Sequence, residues 1–160
     1  MMISAPLHTY HADGSVPTTP NTVWVFGSNL AGRHGKGAAK VALQRFGARY
    51  GEGAGLVGCS YGIPTKDANL NVLPLVSVRA GVEQFLVHAL AHPETMYFVT
   101  RVGCGLAGFK DATIAPLFRA APANCDLPKN WRPWFAQAVS SAPSAPSAQP
   151  PAARDPWTLD

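Results

Sequence analysis

The hydrophobic positions of the chain form short continuous runs that alternate with longer runs of helical period. The continuous runs predict buried strands at residues 23–26, 56–63, 96–102 and 124–127. Gly58 and Gly62 interrupt the second run, and Pro64 predicts its end.

The periodic runs predict three amphipathic helices. The first covers about residues 35–46 and carries an apolar face of Ala39, Ala42, Leu43 and Phe46. The second is expected to begin at a Ser77 cap and to stop at Pro93. Its apolar stripe is Val78, Val82, Phe85, Leu86, Ala89 and Leu90. The third follows a cap at Asp111 or Thr113 and carries Ile114, Leu117 and Phe118, with Pro116 confined to its first turn.

Strands that alternate with helices predict an α/β fold, with helices on both faces of a parallel or mixed sheet. Two glycine clusters, residues 27–39 and 103–108, each follow a predicted strand. Ligands of such folds bind beyond the carboxyl ends of the strands, so both clusters are expected to face one crevice. Glycine lets backbone N–H groups crowd around an anion, and the pair favours a ligand with two phosphates or a phosphate-linked sugar. Ordinary tight turns between strand and helix are the alternative.

The composition indicates one domain with a hydrophobic core, since 47% of the 160 residues are hydrophobic and 14% are charged. We predict an irregular lead-in at 1–20, an α/β domain at 21–137 and a flexible tail at 138–160, where Ala, Pro and Ser dominate. Near the end of that tail, Trp157 and Leu159 are either a docking motif or an accidental apolar end.

The chain has no apolar run long enough to span a membrane and no signal-peptide pattern. Its three cysteines are too scattered for a disulfide framework or a zinc site. A cytoplasmic protein without membrane contact is therefore expected. The net charge of +4 is diffuse, which suits an anionic small molecule and argues against sequence-specific nucleic-acid binding.

The sequence resembles a macrodomain, specifically the branch that removes terminal ADP-ribose through a lysine. The matching pieces, in order, are Arg33-His34-Gly35-Lys36-Gly37-Ala38-Ala39 with Phe46-Gly47, Ile63-Pro64-Thr65-Lys66, and Arg101-Val102-Gly103-Cys104-Gly105-Leu106. Each piece is short and glycine-rich, and the ordered combination spans roughly residues 23–127. The first loop also looks like that of small bacterial and phage proteins without a clear biochemical assignment.

The resemblance implies a three-layer α/β/α sandwich, an ADP-ribose ligand and no further cofactor or metal. The first loop would lie beside the distal ribose, with Ser28, Asn29, Arg33, His34, Gly35 and Gly37 as binding residues. The second loop would wrap the diphosphate, with Gly103, Cys104, Gly105, Leu106, Ala107 and Gly108. Phe109 would line the ribose or the adenine, or else pack in the core. For Ser28 and Asn29 the alternative is stabilisation of the turn.

Lys66 would be the catalytic nucleophile of the resembling enzymes, attacking the anomeric carbon of the distal ribose to form an adduct that water releases. A surface lysine in a turn is the alternative. The family's second catalytic group is a carboxylate after Gly-Cys-Gly-Leu, where this chain has Ala107. Asp111 is the candidate substitute, and Asp67 lies next to Lys66, but catalysis tolerates displacements of only about 1 Å.

Other reactive side chains have two interpretations each. Cys104 is a nucleophile with a low pKa at a helix start, or a small packed residue. His34 binds phosphate or acts as an acid, or has no role. His88 and His92 have metal-pair spacing but lack a third ligand nearby, which favours a solvated face. Three functions follow as hypotheses: an enzyme that hydrolyses an ADP-ribosyl linkage, a module that binds ADP-ribose without catalysis, and a protein-interaction scaffold whose tail makes the contact.

Overall fold

The computed structural model describes residues 8–135. They form a six-stranded sheet with the strands β1 (Tyr10–His11), β2 (Val23–Asn29), β3 (Gly55–Val57), β4 (Ser60–Lys66), β5 (Tyr97–Val99) and β6 (Cys125–Pro128). The helices are α1 (Gly37–Arg45), α2 (Leu75–Ala91) and α3 (Asp111–Ile114), and 3₁₀ turns cover Ala115–Phe118 and Lys129–Trp134. The predicted tail with Trp157 and Leu159 lies outside the described residues.

The sheet has the order β1-β6-β5-β2-β4-β3 and is mixed. Every neighbouring pair is parallel except β3 with β4. The expected α/β class with alternating strands and helices is confirmed. Because β2 lies between β5 and β4, the loops that follow these three parallel strands meet at one edge of the sheet.

Side chains along β2 alternate between two hydrophobic clusters, as the period of a strand requires. Val23 and Val25 belong to the larger cluster, whereas Trp24 and Phe26 belong to the smaller one. The larger cluster includes four buried side chains of α2: Val78, Val82, Phe85 and Ala89. The smaller cluster includes Ala39 and Ala42 of α1. Burial of both clusters fixes β2 at the centre of the fold.

Several predicted element boundaries are wrong. Residues 56–63 are not one strand, because Gly58 turns the chain at φ +61° and separates β3 from β4. Pro64 does not end β4. It lies beyond the last β4 residue that pairs with β3, so the absence of an N–H on proline removes no hydrogen bond between these two strands. The predicted lead-in is not wholly irregular, because β1 pairs with β6.

The predicted caps of two helices are also wrong. Helix α2 begins at Leu75 after Pro74, so Ser77 lies inside the first turn, and no side chain caps the helix. Helix α3 follows Lys110 without a side-chain cap, although Asp111 stands in its first turn. Leu90 does not complete the apolar stripe of α2, since it is 69% exposed.

Candidate functional site

A cleft of about 650 Å³ opens at the carboxyl ends of β2, β4 and β5. This volume lies within the range of small-molecule sites. Its lining comes from both glycine clusters and from the end of β4: Gly27, Ser28, Asn29, Arg33, Gly35, Lys36, Gly37, Ala38, Ala39, Thr65, Lys66, Leu70, Gly103, Cys104, Gly105, Leu106 and Ala107. Asp13, Thr100 and Arg101 complete it. The structure therefore places Gly35 and Gly105 on the same cavity.

Lys66 reaches the cleft because it ends β4 opposite Asn29 of β2. Its backbone oxygen accepts a hydrogen bond from the Leu30 amide at 3.0 Å. The neighbouring Thr65 is buried, and its hydroxyl donates to the backbone oxygen of Ser28 at 3.3 Å. These contacts fix the backbone at Lys66, while its side chain has no ion-pair partner within residues 8–135.

Backbone N–H groups are available on two sides of the cleft. In the second glycine cluster the amides of Gly105, Leu106 and Ala107 donate to no acceptor within the described residues. In the first cluster, helix α1 makes its first backbone bond from Lys40 to Lys36, which leaves the amides of its first turn without a helical acceptor. These donors can bind an anion.

Basic side chains add to the positive potential of the cleft. Arg33, Lys36, Lys66 and Arg101 line it, against a single acidic residue, Asp13. Like Lys66, Arg33 and Lys36 have no ion-pair partner in the described part of the chain. The cleft thus carries a net positive charge, which attracts phosphorylated ligands.

Arg101 holds the second glycine cluster to the rest of the fold. Its Nε and Nη2 donate to the two carboxylate oxygens of Asp111 at 2.9 and 2.6 Å, and its Nη1 donates to Asp13 at 2.9 Å. Trp131 Nε1 donates to Asp111 at 2.7 Å. Hydrogen bonding to Asp111, the largest cause, raises the pKa of Arg101. Arg101 begins the third of the matching pieces, but no sequence pattern indicates its pairing with Asp13, which lies 88 residues away in the chain.

Asp111 is not placed as the expected catalytic acid. It does not line the cleft, and its carboxylate already accepts from Arg101 and Trp131. The hydrogen bonds from Arg101 are the largest cause that lowers its pKa below the ordinary 3.8. A carboxyl group with a lowered pKa stays ionised at neutral pH and cannot donate a proton.

The Asp111 carboxylate should make stability depend on pH in the acid range. Its pKa is lower in the folded than in the unfolded chain, so its contribution is complete above the ordinary value and is lost as pH falls through the folded value. We expect Asp111→Asn to lower the free energy of unfolding by about 1–3 kcal/mol near pH 7, because a partly buried charge-assisted pair is lost. The difference should shrink below about pH 4.

Urea unfolding at about pH 7, pH 5 and pH 3 checks this expectation. Glu83→Gln is the matched control, because Glu83 forms an exposed pair with Arg79 one helical turn away. An Asp111→Asn difference that is equal at all three pH values would contradict the proposed linkage.

Three other expected binding residues do not line the cleft. His34 is fully buried, and its Nε2 contacts the backbone oxygen of Arg49 at 2.8 Å. Phe109 is half-buried and packs against the larger hydrophobic cluster. Gly108 closes the turn of the second cluster at φ +84° with its amide bonded to the backbone oxygen of Gly105. Each therefore has a structural role.

Cys104 lines the cleft, but it is not an activated nucleophile. Burial, the largest cause, and the nearby Asp111 raise the pKa of the thiol to about 12. A thiol with so high a pKa is protonated at neutral pH. The rings of His88 in α2 and of His92, just after its end, lie with centroids 4.5 Å apart and planes tilted by 34°. No cluster of three or more His, Cys, Asp or Glu side chains in residues 8–135 is suited to hold a metal.

Ser28 and Asn29 line the cleft and also shape it. Asn29 Nδ2 donates to the backbone oxygen of Arg33 at 2.8 Å, and the Arg33 amide donates back to Asn29 Oδ1 at 2.9 Å. The Ser28 hydroxyl donates to the backbone oxygen of Gly53. The turn-stabilising interpretation therefore applies to both residues.

Leu70 was missed by the sequence analysis. It lies in the five-residue loop that follows Lys66 and adopts φ +67°, a left-handed conformation that costs a leucine about 1–2 kcal/mol. The Asp67 carboxylate braces the loop by accepting the amides of Asn69 and Asn71 at 2.8 and 2.9 Å. The side chain of Leu70 lines the cleft and is 40% exposed. No sequence pattern indicates a leucine with positive φ.

Comparison with known proteins finds related folds only. No family model and no curated protein matches this chain. A protein of unknown function from Bacteroides thetaiotaomicron matches with a TM-score of 0.53 and 16% identity, covering 78% of this chain and 99% of that one. The alphavirus P23pro-zbd matches with a TM-score of 0.59 and 15% identity, covering 90% of this chain and 25% of that one. Identities this low show a shared fold alone.

The described part of the chain has no helix that is both long and apolar enough to cross a bilayer.

Proposed function

We propose that this protein is a macrodomain-like α/β/α sandwich that binds ADP-ribose or a related NAD-derived nucleotide and hydrolyses an ADP-ribosyl linkage through Lys66. The observation that carries the proposal is the convergence of both glycine clusters and Lys66 on one cleft. The packing of α1 and α2 against different hydrophobic clusters of the sheet supports the three-layer arrangement.

The chemistry of the cleft fits a diphosphate joined to a sugar. A diphosphate needs several donors at short range, and the amides of Gly105, Leu106 and Ala107 supply donors that have no acceptor among residues 8–135. Arg33 and Lys36 supply positive charge from the opposite glycine cluster. Small residues on both sides leave room for the ligand to approach the backbone.

The position of Lys66 in the lining of the cleft supports a covalent mechanism. Its amine would attack the anomeric carbon of the distal ribose, and the bond to the leaving group would break with its electron pair. Water would then attack the same carbon and release the sugar from the lysine.

A module that binds without hydrolysis is the second candidate. Ala107 occupies the position of the family's carboxylate and cannot transfer a proton. Asp111 does not line the cleft and is held by Arg101 and Trp131. These two observations favour binding alone.

Isothermal titration calorimetry with ADP-ribose tests the shared part of both proposals. We expect saturable binding by the full chain, weakened at least tenfold in Arg33→Ala/Lys36→Ala, because two unpaired cations are removed from the anion site. Arg45→Ala/Lys40→Ala is the matched control, since both residues belong to α1 and neither lines the cleft. Absence of binding at millimolar ADP-ribose would overturn the proposal.

A further inference from the structure

Asp67, Asp13 and Asp111 each accept hydrogen bonds from other groups of the protein. Asp67 follows Lys66 directly, but its side chain accepts the amides of Asn69 and Asn71. Asp13, the acidic residue of the cleft lining, accepts from Arg101, and Asp111 accepts from Arg101 and Trp131. Each of these three carboxylates therefore already serves as an acceptor for groups of the protein itself.

This arrangement disfavours substrates whose leaving group needs a proton from the protein. An alcohol or a guanidine leaves a sugar carbon only when it receives a proton, so a site without a general acid cleaves such bonds slowly. A carboxylate or a pyridine base departs with the electron pair alone. The leaving group is thus expected to belong to one of these last two classes.

A residue that lines the cleft close to Lys66 in the chain favours one of these two classes of leaving group. Leu70 lines the cleft at φ +67° in the loop that starts after Lys66, and the residue is 40% exposed. Backbone bonds from Asp67 to Asn71 and from Leu70 to Asp67 keep the loop closed at 2.7 and 3.0 Å. A leucine maintained in an unfavourable conformation at a site is typical of a residue with a function there. An apolar side chain packs favourably against a flat ring, whereas it provides neither a hydrogen bond nor a charge to a carboxylate.

Resting on the proposed function, we infer that the substrate is a pyridinium dinucleotide and that Leu70 packs against its departing base. The Lys66 amine attacks the ribose carbon, the bond from that carbon to the pyridinium nitrogen breaks, and its electron pair neutralises the ring. The lysine nitrogen releases a proton to solvent. Water then adds to the ribose carbon and the bond to Lys66 breaks as the amine regains a proton. The net reaction consumes one water and yields ADP-ribose, the free base and one proton.

The test incubates the full chain with NAD⁺ and measures free nicotinamide by chromatography, beside ADP-ribose binding by calorimetry. Leu70→Asn suits the left-handed conformation while it removes the apolar contact. We expect nicotinamide release by the wild type and at least a tenfold loss of release in Leu70→Asn, with a smaller loss of ADP-ribose affinity. Leu90→Asn, which removes an exposed leucine from α2 away from the cleft lining, should release nicotinamide at the wild-type rate.

The outcomes separate this inference from the proposal on which it rests. If ADP-ribose binds but the wild type releases no nicotinamide, the pyridinium substrate is wrong and the proposed binding function stands. Nicotinamide release that is equal in Leu70→Asn and wild type removes the role of Leu70. If ADP-ribose does not bind at all, both fail. An ADP-ribosyl peptide linked through glutamate, cleaved in place of NAD⁺, would assign the carboxylate class instead.

Discussion

Replacing Lys66 with alanine is expected to lower the hydrolysis rate by roughly a hundredfold to ten-thousandfold, because the change removes the proposed nucleophile. Cys104 is the other candidate there, and burial raises its pKa to about 12. Binding of ADP-ribose should weaken far less, since the amides and the other cations of the cleft remain. Single-turnover release of ADP-ribose, measured beside calorimetry, checks both parts.

Two further variants define the role of Lys66. Lys66→Arg keeps the positive charge but provides a guanidinium that cannot act as a nucleophile, so it should be as inactive as the alanine variant. Lys40→Ala, on the exposed side of α1, is the matched control and should retain full activity. An active Lys66→Arg would show that Lys66 contributes charge alone. A wild type that binds ADP-ribose but hydrolyses no tested linkage would favour the binding module.

Gly53→Ala is expected to be the most destabilising single-methyl change. A Cβ at this position would lie 1.9 Å from the backbone oxygen of Asn29, which belongs to the central strand β2. Backbone cannot move aside as the end of a flexible side chain can. We expect a loss of roughly 3 kcal/mol and a fall in Tm of roughly 6–12 °C.

Thermal unfolding followed by circular dichroism measures the effect of Gly53→Ala. Gly105→Ala is the matched control, because no atom lies within 4 Å of a Cβ built there and its backbone is not in the left-handed region. The control should melt within about 2 °C of the wild type. Equal melting of the two variants would contradict the close approach of residue 53 to β2.

The sequence predicted the parts of the fold that depend on local periodicity. The apolar run at residues 23–26 lies in β2, and its side chains alternate between the two hydrophobic clusters. The stripe from Val78 to Ala89 lies in α2 and is buried in the larger cluster. The position of the glycine clusters after β2 and β5 follows from topology, since parallel strands place their carboxyl ends at one edge. A reader of the sequence can therefore expect one cleft that both clusters share.

The predictions from the sequence were wrong where a contact with a residue distant in the chain decides the conformation or the position of a side chain. The turn at Gly58 depends on Gly47, whose backbone oxygen would lie 2.8 Å from a Cβ at residue 58. His34 was expected in the site, yet its ring packs edge-on against Phe26 with centroids 5.6 Å apart. Neither contact can be predicted from the residues next to Gly58 or His34 in the chain.

The sequence by itself determined an α/β chain with helical and strand periods in order, two donor-rich glycine clusters and a lysine at a strand end, because these depend on neighbours along the chain. Tertiary structure alone decided three features. Arg101 donates hydrogen bonds to Asp13 and Asp111, Gly53 must lack a side chain, and Leu70 lines the cleft. Each of these depends on atoms that folding brings together from separate parts of the chain, or on a backbone conformation that the rest of the fold imposes.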